Sequence, residues 1–180
     1  LIGSNQTIHV TGGMRLGLVG DNGVGKSTLL GRMVQDAVSG RIGFLDQRLE
    51  LDDDLPVLEC ITRGCPSAPP HEIRARLARF LLRGEVTERL VGALSGGERF
   101  RVALARVLLA DPPVELLVLD EPTNNLDLES VDVLVDGLTT YAGALVVVSH
   151  DADLLEHLHL ERVVELSRDG ELHDRSDVAP

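Results

Sequence analysis

Aromatic side chains are nearly missing from this chain: three Phe, one Tyr and no Trp, at Phe44, Phe80, Phe100 and Tyr141, with none before residue 44. Cations are also scarce. Seventeen Lys and Arg stand against 29 Asp and Glu, a formal net charge of −12. That balance argues against DNA binding through a broad basic face, although it does not exclude a local patch. There are two cysteines, Cys60 and Cys65, with no His or further Cys pair at metal-ligand spacing, so no zinc site is expected and a reducing compartment is the simpler setting. No apolar run approaches the ~20 residues a membrane-spanning helix needs, so no membrane insertion is expected. The opening LIGSNQTIHV lacks the basic-then-apolar layout of a secretion signal and has no initiating Met, so the sequence reads as a fragment of a longer chain.

What is present suits one soluble domain with a real core: 180 residues, 43% hydrophobic and 26% charged. MRLGLVG (14–20) is an apolar strand ending at a glycine turn, and KSTLLGRMV (26–34) follows as a helix with Leu29, Leu30 and Met33 on one side. RIGFLDQ (41–47) is another short strand. VELLVLD (114–120) and ALVVVSH (144–150) are near-continuous apolar runs, as in strands covered on both faces. This order predicts an α/β fold with a mostly parallel sheet. Residues 55–110 differ. HEIRARLARFLLRG (71–84) places Ile73, Leu77, Phe80 and Leu81 at helical spacing, and Glu98 to Ala110 reads as a second helix, so this stretch is expected to be a helical subdomain inserted in the core. Residues 128–141 form a further helix through Leu128, Val131, Leu134, Val135 and Leu138, and 162–172 a hairpin around Asp169-Gly170.

GDNGVGKST (20–28) fits the G-x-x-x-x-G-K-[ST] phosphate loop, placed between a strand and a helix as the motif requires. Its glycines let backbone N–H groups turn toward a phosphate chain, and the helix offers its positive end. Gly20, Asn22, Gly23, Gly25, Lys26, Ser27 and Thr28 are the candidate nucleotide-binding residues. Lys26 would reach the β- and γ-phosphates of ATP, and the Ser27 hydroxyl would ligate Mg²⁺. A plain strand-to-helix glycine turn is the alternative.

LLVLDEPTNNLD (116–127) sets Asp120 and Glu121 at the end of a buried strand, where two carboxylates are costly unless a cation or water meets them. Asp120 is the candidate Mg²⁺ ligand, and Glu121 the candidate general base for an attacking water. His150 ends the neighbouring strand and is a candidate contact for the γ-phosphate and that water; a strand-end His alone is more often a structural hydrogen-bonder. Gln47 could meet Mg²⁺ or the water, and by itself is an ordinary loop residue. His157 and His159, two apart on one candidate helix, are expected at the surface.

A second loop, ALSGGERFR (93–101), also looks phosphate-facing yet carries no lysine within it. Ser95 can cap the following helix with Glu98 at its third position, a capping box, and a capped N-terminus is also an anion site.

Taken together, GDNGVGKST, Gln47, LSGGER, LLVLDEP, NNLD and SHD, in that order, resemble the ATP-binding-cassette (ABC) ATPases, a P-loop NTPase family. LSGGERFRVALARVLL, DEPTNNLDLES and VVVSHDADLLEHL are similar to the ABC-F subfamily, ribosome-associated proteins of translation and antibiotic resistance, and FLLRG before the signature resembles its second cassette. The resemblance implies a Mg²⁺-dependent ATPase, cytoplasmic, whose Ser95, Gly96, Gly97 and Asp127 face the nucleotide of a second cassette in a head-to-tail sandwich, with the ribosome as the larger partner. It departs in four places. Asn125 stands where the subfamily has His. No aromatic precedes the phosphate loop to stack on adenine. Lys26 and Gln47 are closer than is usual. The basic linker that joins two cassettes is absent. The alternatives are the ATPase subunit of an ABC membrane transporter, a family group that more often carries SALD in place of NNLD, and a domain that binds nucleotide without turnover. Chromosome-maintenance ATPases are discounted because residues 48–92 are too short for their coiled coil.

Overall fold

The computed structural model describes residues 8–36, 40–46 and 48–175, which divide into two compact units. The first unit contains residues up to 47, 115–123 and from 142 onward; the second contains 48–114 and 124–141.

The first unit is built on a six-stranded sheet: β1 Arg15–Val19, β2 Ile42–Leu45, β3 Leu116–Asp120, β4 Ala144–Val148, β5 Arg162–Leu166 and β6 Leu172–Asp174, in spatial order β2-β3-β4-β1-β5-β6. Every pairing is parallel except β5 with β6, which form the expected hairpin. The apolar runs account for this arrangement. All five residues of β4 are buried, as are the central three of β1 and of β3. Helix α1, Lys26–Asp36, adds Leu29 and Leu30 to a core with Leu16, Leu18, Val118, Val146, Val148 and Val164. The fold is therefore the expected α/β, mostly parallel one, with β1 and its glycine loop in mid-sheet.

The second unit is helical: α2 Val57–Thr62, α3 Pro70–Leu77, α4 Gly96–Leu108 and α5 Leu128–Thr139, with 3-10 turns at Ala78–Phe80, Gly84–Glu88 and Val91–Ala93. A final short helix, α6 Ala152–His157, belongs to the first unit. α4 packs on α5, where Gly137 gives Leu104 and Leu108 their room: a Cβ there would lie 2.9 Å from Leu108 Cδ1.

Three expectations need correction. The 71–84 helix stops early, because Leu81 turns left-handed (φ 57°). The turn swings Leu81 into solvent and puts Leu82, fully buried, in its place. The buried face of α5 is Ser130, Val133, Leu134 and Leu138, while Leu128 is 84% exposed at the helix start. His159 lies beyond α6 at φ 49° rather than on it.

Gly20, at φ 143°, lies against the backbone of Leu166, and a Cβ there would run into the Leu166 carbonyl. Gly20→Ala should lower stability by about 1–3 kcal/mol. Gly31→Ala, in α1 where a Cβ meets nothing within 4 Å, should be neutral or stabilise by up to about 1 kcal/mol. Urea unfolding of the two variants checks the contrast.

Candidate functional site

In the first unit, β1 ends at Val19 and α1 starts at Lys26, so the phosphate loop joins a central strand to a helix. Gly23 and Gly25 have φ of 81° and 99°, and a Cβ on either would meet nothing within 4 Å. The loop thus combines a backbone few other residues adopt with open ground above it, a cradle fit for a polyphosphate. Asn22, Ser27 and Thr28 are exposed around it. Lys26 is only 8% exposed, and its ammonium is satisfied from within the loop: Nζ donates to the carbonyls of Gly20 (2.6 Å) and Asp21 (3.0 Å) and lies 3.3 Å from His150 Nε2.

The ends of β3 and β4 complete this cluster. Asp120 is the last residue of β3, paired with Val148 of β4. Glu121 follows in the left-handed region (φ 50°), a conformation stabilised by its N–H donating to the Val148 carbonyl at 2.8 Å. Its carboxylate is held from the β4 end: the His150 N–H donates to Oε2 at 3.3 Å, and His150 Nε2 lies 3.3 Å from Oε1. Non-glycine residues in such backbone occur where other contacts fix them, commonly at functional sites. Lys26, Glu121 and His150, far apart in sequence, are thus brought together. Nε2 of a neutral His150 can accept from Lys26 or donate to Glu121, not both, so the ring stands between two alternative bonds. Gln47 lies outside the described residues. Ser27 and Asp120 offer oxygen donors, the chemistry Mg²⁺ prefers.

The second unit carries the serine–glycine loop. Ser95 caps α4 in a complete capping box: the Glu98 N–H donates to Ser95 Oγ (3.2 Å), and the Ser95 N–H donates to Glu98 Oε2 (2.8 Å). The Ser95 N–H holds the Glu98 carboxyl below its usual value. The cap's contribution is therefore present above the ordinary glutamate range and lost as pH falls through the lowered value. Gly96 is open, with nothing within 4 Å of a Cβ. Gly97 is buried, and a Cβ on it would lie 2.7 Å from Asp127 Oδ2 and 2.9 Å from Ser130 Oγ. Asp127 in turn caps α5, accepting the Ser130 N–H at 2.8 Å. Its carboxyl is also held below the usual value, by the Ser130 hydroxyl first and then by that N–H. The hydroxyl lies close enough to favour the ionised form, yet it is fully buried and closes no hydrogen bond of ordinary geometry; the same is true of Nε of Arg101, which is 8% exposed in α4.

Ser95, Gly96, Gly97 and Asp127 therefore stand on two capped helix N-termini. The motif shows Gly97, but sequence reasoning missed its neighbour Ser130, which no spacing rule singles out. Among the described residues, one further group gathers metal-capable side chains, Asp169 and Glu171 on the β5–β6 turn with His173 of β6; Cys60 and Cys65 are free, buried thiols outside it.

Gly97→Ala should destabilise by about 1–3 kcal/mol through crowding, and Asp127→Ala by about 1 kcal/mol through the lost cap. In the double variant the alanine at 97 should cost at least about 1 kcal/mol less than it does alone. Chemical denaturation of the four proteins measures the coupling, and additive costs would show that Asp127 is not the obstacle.

The family model described as "ABC transporter" matches residues 4–124. YdiF of Bacillus subtilis is 40% identical over 169 residues, covering 88% of this chain and 26% of that protein. The ATP-binding cassette sub-family F member 3 of Rattus norvegicus is 37% identical over 149 residues, covering 76% of this chain and 21% of that protein. The chain thus spans about a quarter of the length of these relatives. Among solved structures, the dimeric post-hydrolysis state of the ATP-binding cassette MJ0796 bound to ADP and Pi superposes with a TM-score of 0.72 at 24% identity, covering 93% of this chain and 88% of that one. No helix among the described residues is long and apolar enough to cross a membrane. With its glycine loop, its parallel sheet and its capped serine–glycine helix in place, the chain belongs to the ABC transporter family, as an ATP-binding cassette domain.

Proposed function

We propose that the chain is one cassette, with residues of about 55–110 as its helical subdomain, that hydrolyses ATP when closed head to tail on a second cassette. We assign it to an ABC-F protein acting on ribosomes in the cytoplasm. The carrying observation is the meeting of Glu121, His150 and Lys26 beside an open glycine cradle. The sub-family F relative and the wording LSGGERFRVALARVLL and DEPTNNLDLES support the subfamily, and the dimeric, ADP- and Pi-bound neighbour supports paired cassettes and turnover.

The residues divide the work as follows. Backbone N–H groups of the loop from Gly20 to Gly25, with Asn22, Ser27 and Thr28 around them, receive the phosphates. Lys26 exchanges its two loop carbonyls for β- and γ-phosphate oxygens. Ser27 and Asp120 would hold Mg²⁺, which would supply charge neutralisation on the phosphates. Glu121 takes a proton from a water whose oxygen attacks the γ-phosphorus in line; the bond to the β–γ bridging oxygen breaks, leaving ADP and inorganic phosphate. The His150 N–H keeps the Glu121 carboxylate aimed. Ser95, Gly96 and Gly97 direct a helix N-terminus at the nucleotide of the other cassette, which supplies its own lysine, and Asp127 joins that contact. Loss of the γ-phosphate removes donors' partners on both sides, and the pair opens.

Glu121→Gln should cut turnover by about two orders of magnitude or more while trapping the closed pair. Ser95→Arg should leave nucleotide binding to this chain's own loop intact and block pairing. Phosphate release and analytical ultracentrifugation in ATP read both; full turnover by Glu121→Gln, or lost nucleotide binding by Ser95→Arg, would contradict the assignments.

A further inference from the structure

Helix α4 carries a buried charge that the site described above does not use. Arg101 is 8% exposed, and its guanidinium closes no hydrogen bond to any described residue. Its ion pair is a loose one: Nη1 lies 3.8 Å from Oε2 of Glu129, a carboxylate that is itself largely exposed. A buried cation with unused donors is costly unless its charge is put to use. Gly97 stands one turn earlier on the same face of α4, which packs on α5. The space a side chain at 97 would fill is taken by the Asp127 carboxylate and the Ser130 hydroxyl. After that hydroxyl and the Ser130 N–H, the Arg101 charge also favours the ionised form of Asp127. Glu98, by contrast, has a closer cation in Arg89, at 3.1 Å.

Asp127 and Glu129 are both exposed at the start of α5. On the pairing reading, this acidic end of a chain of net charge −12 must approach the triphosphate of a second cassette. A cation on the surface would be hydrated, mobile and free to take the phosphates itself. A cation beneath the surface keeps its field, because little water screens it, and it leaves the Asp127 carboxylate without a guanidinium clamp. We propose that Arg101 is a positioning residue for pairing: its buried charge, beside the gap at Gly97, holds the Asp127 carboxylate at the start of α5 and offsets the acidic end presented to the second cassette. This rests on the paired-cassette reading above and names the residue that supports Asp127 within it.

Analytical ultracentrifugation of the Glu121→Gln chain in MgATP, with thermal unfolding beside it, tests the proposal. Arg101→Met, which keeps the length and drops the charge, should weaken pairing about tenfold. Its melting temperature should equal or exceed the parent's, because a buried cation without hydrogen bonds has been removed. Arg101→Lys should pair within about threefold of the parent, since the charge acts and no planar hydrogen bond is lost. Asp127→Ala should also weaken pairing, and Arg101→Met should add little on top of it. Unchanged pairing in Arg101→Met, a melting temperature that falls along with pairing, failure of Arg101→Lys to pair, or an additive loss on Asp127→Ala would overturn the proposal. If the Glu121→Gln parent does not pair, or Asp127→Ala pairs normally, the pairing reading fails instead, whatever Arg101 does.

Discussion

A buried ammonium organises the first unit. Lys26 sits at the start of α1 with almost no exposure, and a charge so placed must be fully hydrogen-bonded. The carbonyls of Gly20 and Asp21 meet that need only because the loop curls back through left-handed glycines. The loop can curl there because β1 delivers it to mid-sheet and Gly20 lies flat on Leu166. β4 ends beside it and presents His150 to the same ammonium. Remove the glycines and the lysine loses its two carbonyl partners; remove β4 and Glu121 loses both its backbone anchor and the N–H that aims its carboxylate.

The second unit follows a related logic with a different charge. It has no lysine in its loop and relies on helix ends. Ser95 and Asp127 each accept one N–H in the first turn of a helix, and Gly97 lets the two capped ends approach without a side chain between them. The chain's own Asp127 carboxylate and Ser130 hydroxyl already require glycine at position 97.

Much of this was legible in the sequence. Near-continuous apolar runs marked β3 and β4, because strands covered on both faces have no polar side, and an apolar stretch ending at a glycine turn marked β1. The motifs singled out Lys26, Ser27, Asp120, Glu121, Ser95 and Gly97 as candidates, because phosphate binding requires fixed spacings. What spacing could not show depends on backbone turns and long-range pairing. Leu81 fits a helical stripe, yet a left-handed residue ends the helix and hands its core position to Leu82. Leu128 likewise fits the α5 stripe, but the helix begins there with its face turned to Ser130 and Val133. Arg101 in α4 and Asp127 at the start of α5 have no local pattern linking them.

Both units carry a glycine-bearing loop that leads into a helix, and only the loop of the first ends in a lysine. The central claim is that the serine–glycine loop completes another cassette's site. The most direct measurement is steady-state phosphate release by this chain with and without a supplied partner cassette, over a range of partner concentrations. The account predicts turnover that rises with partner and saturates. It also predicts that Ser95→Arg in this chain abolishes the part arising at the partner's phosphate loop. Turnover independent of partner concentration, and untouched by Ser95→Arg, would contradict it.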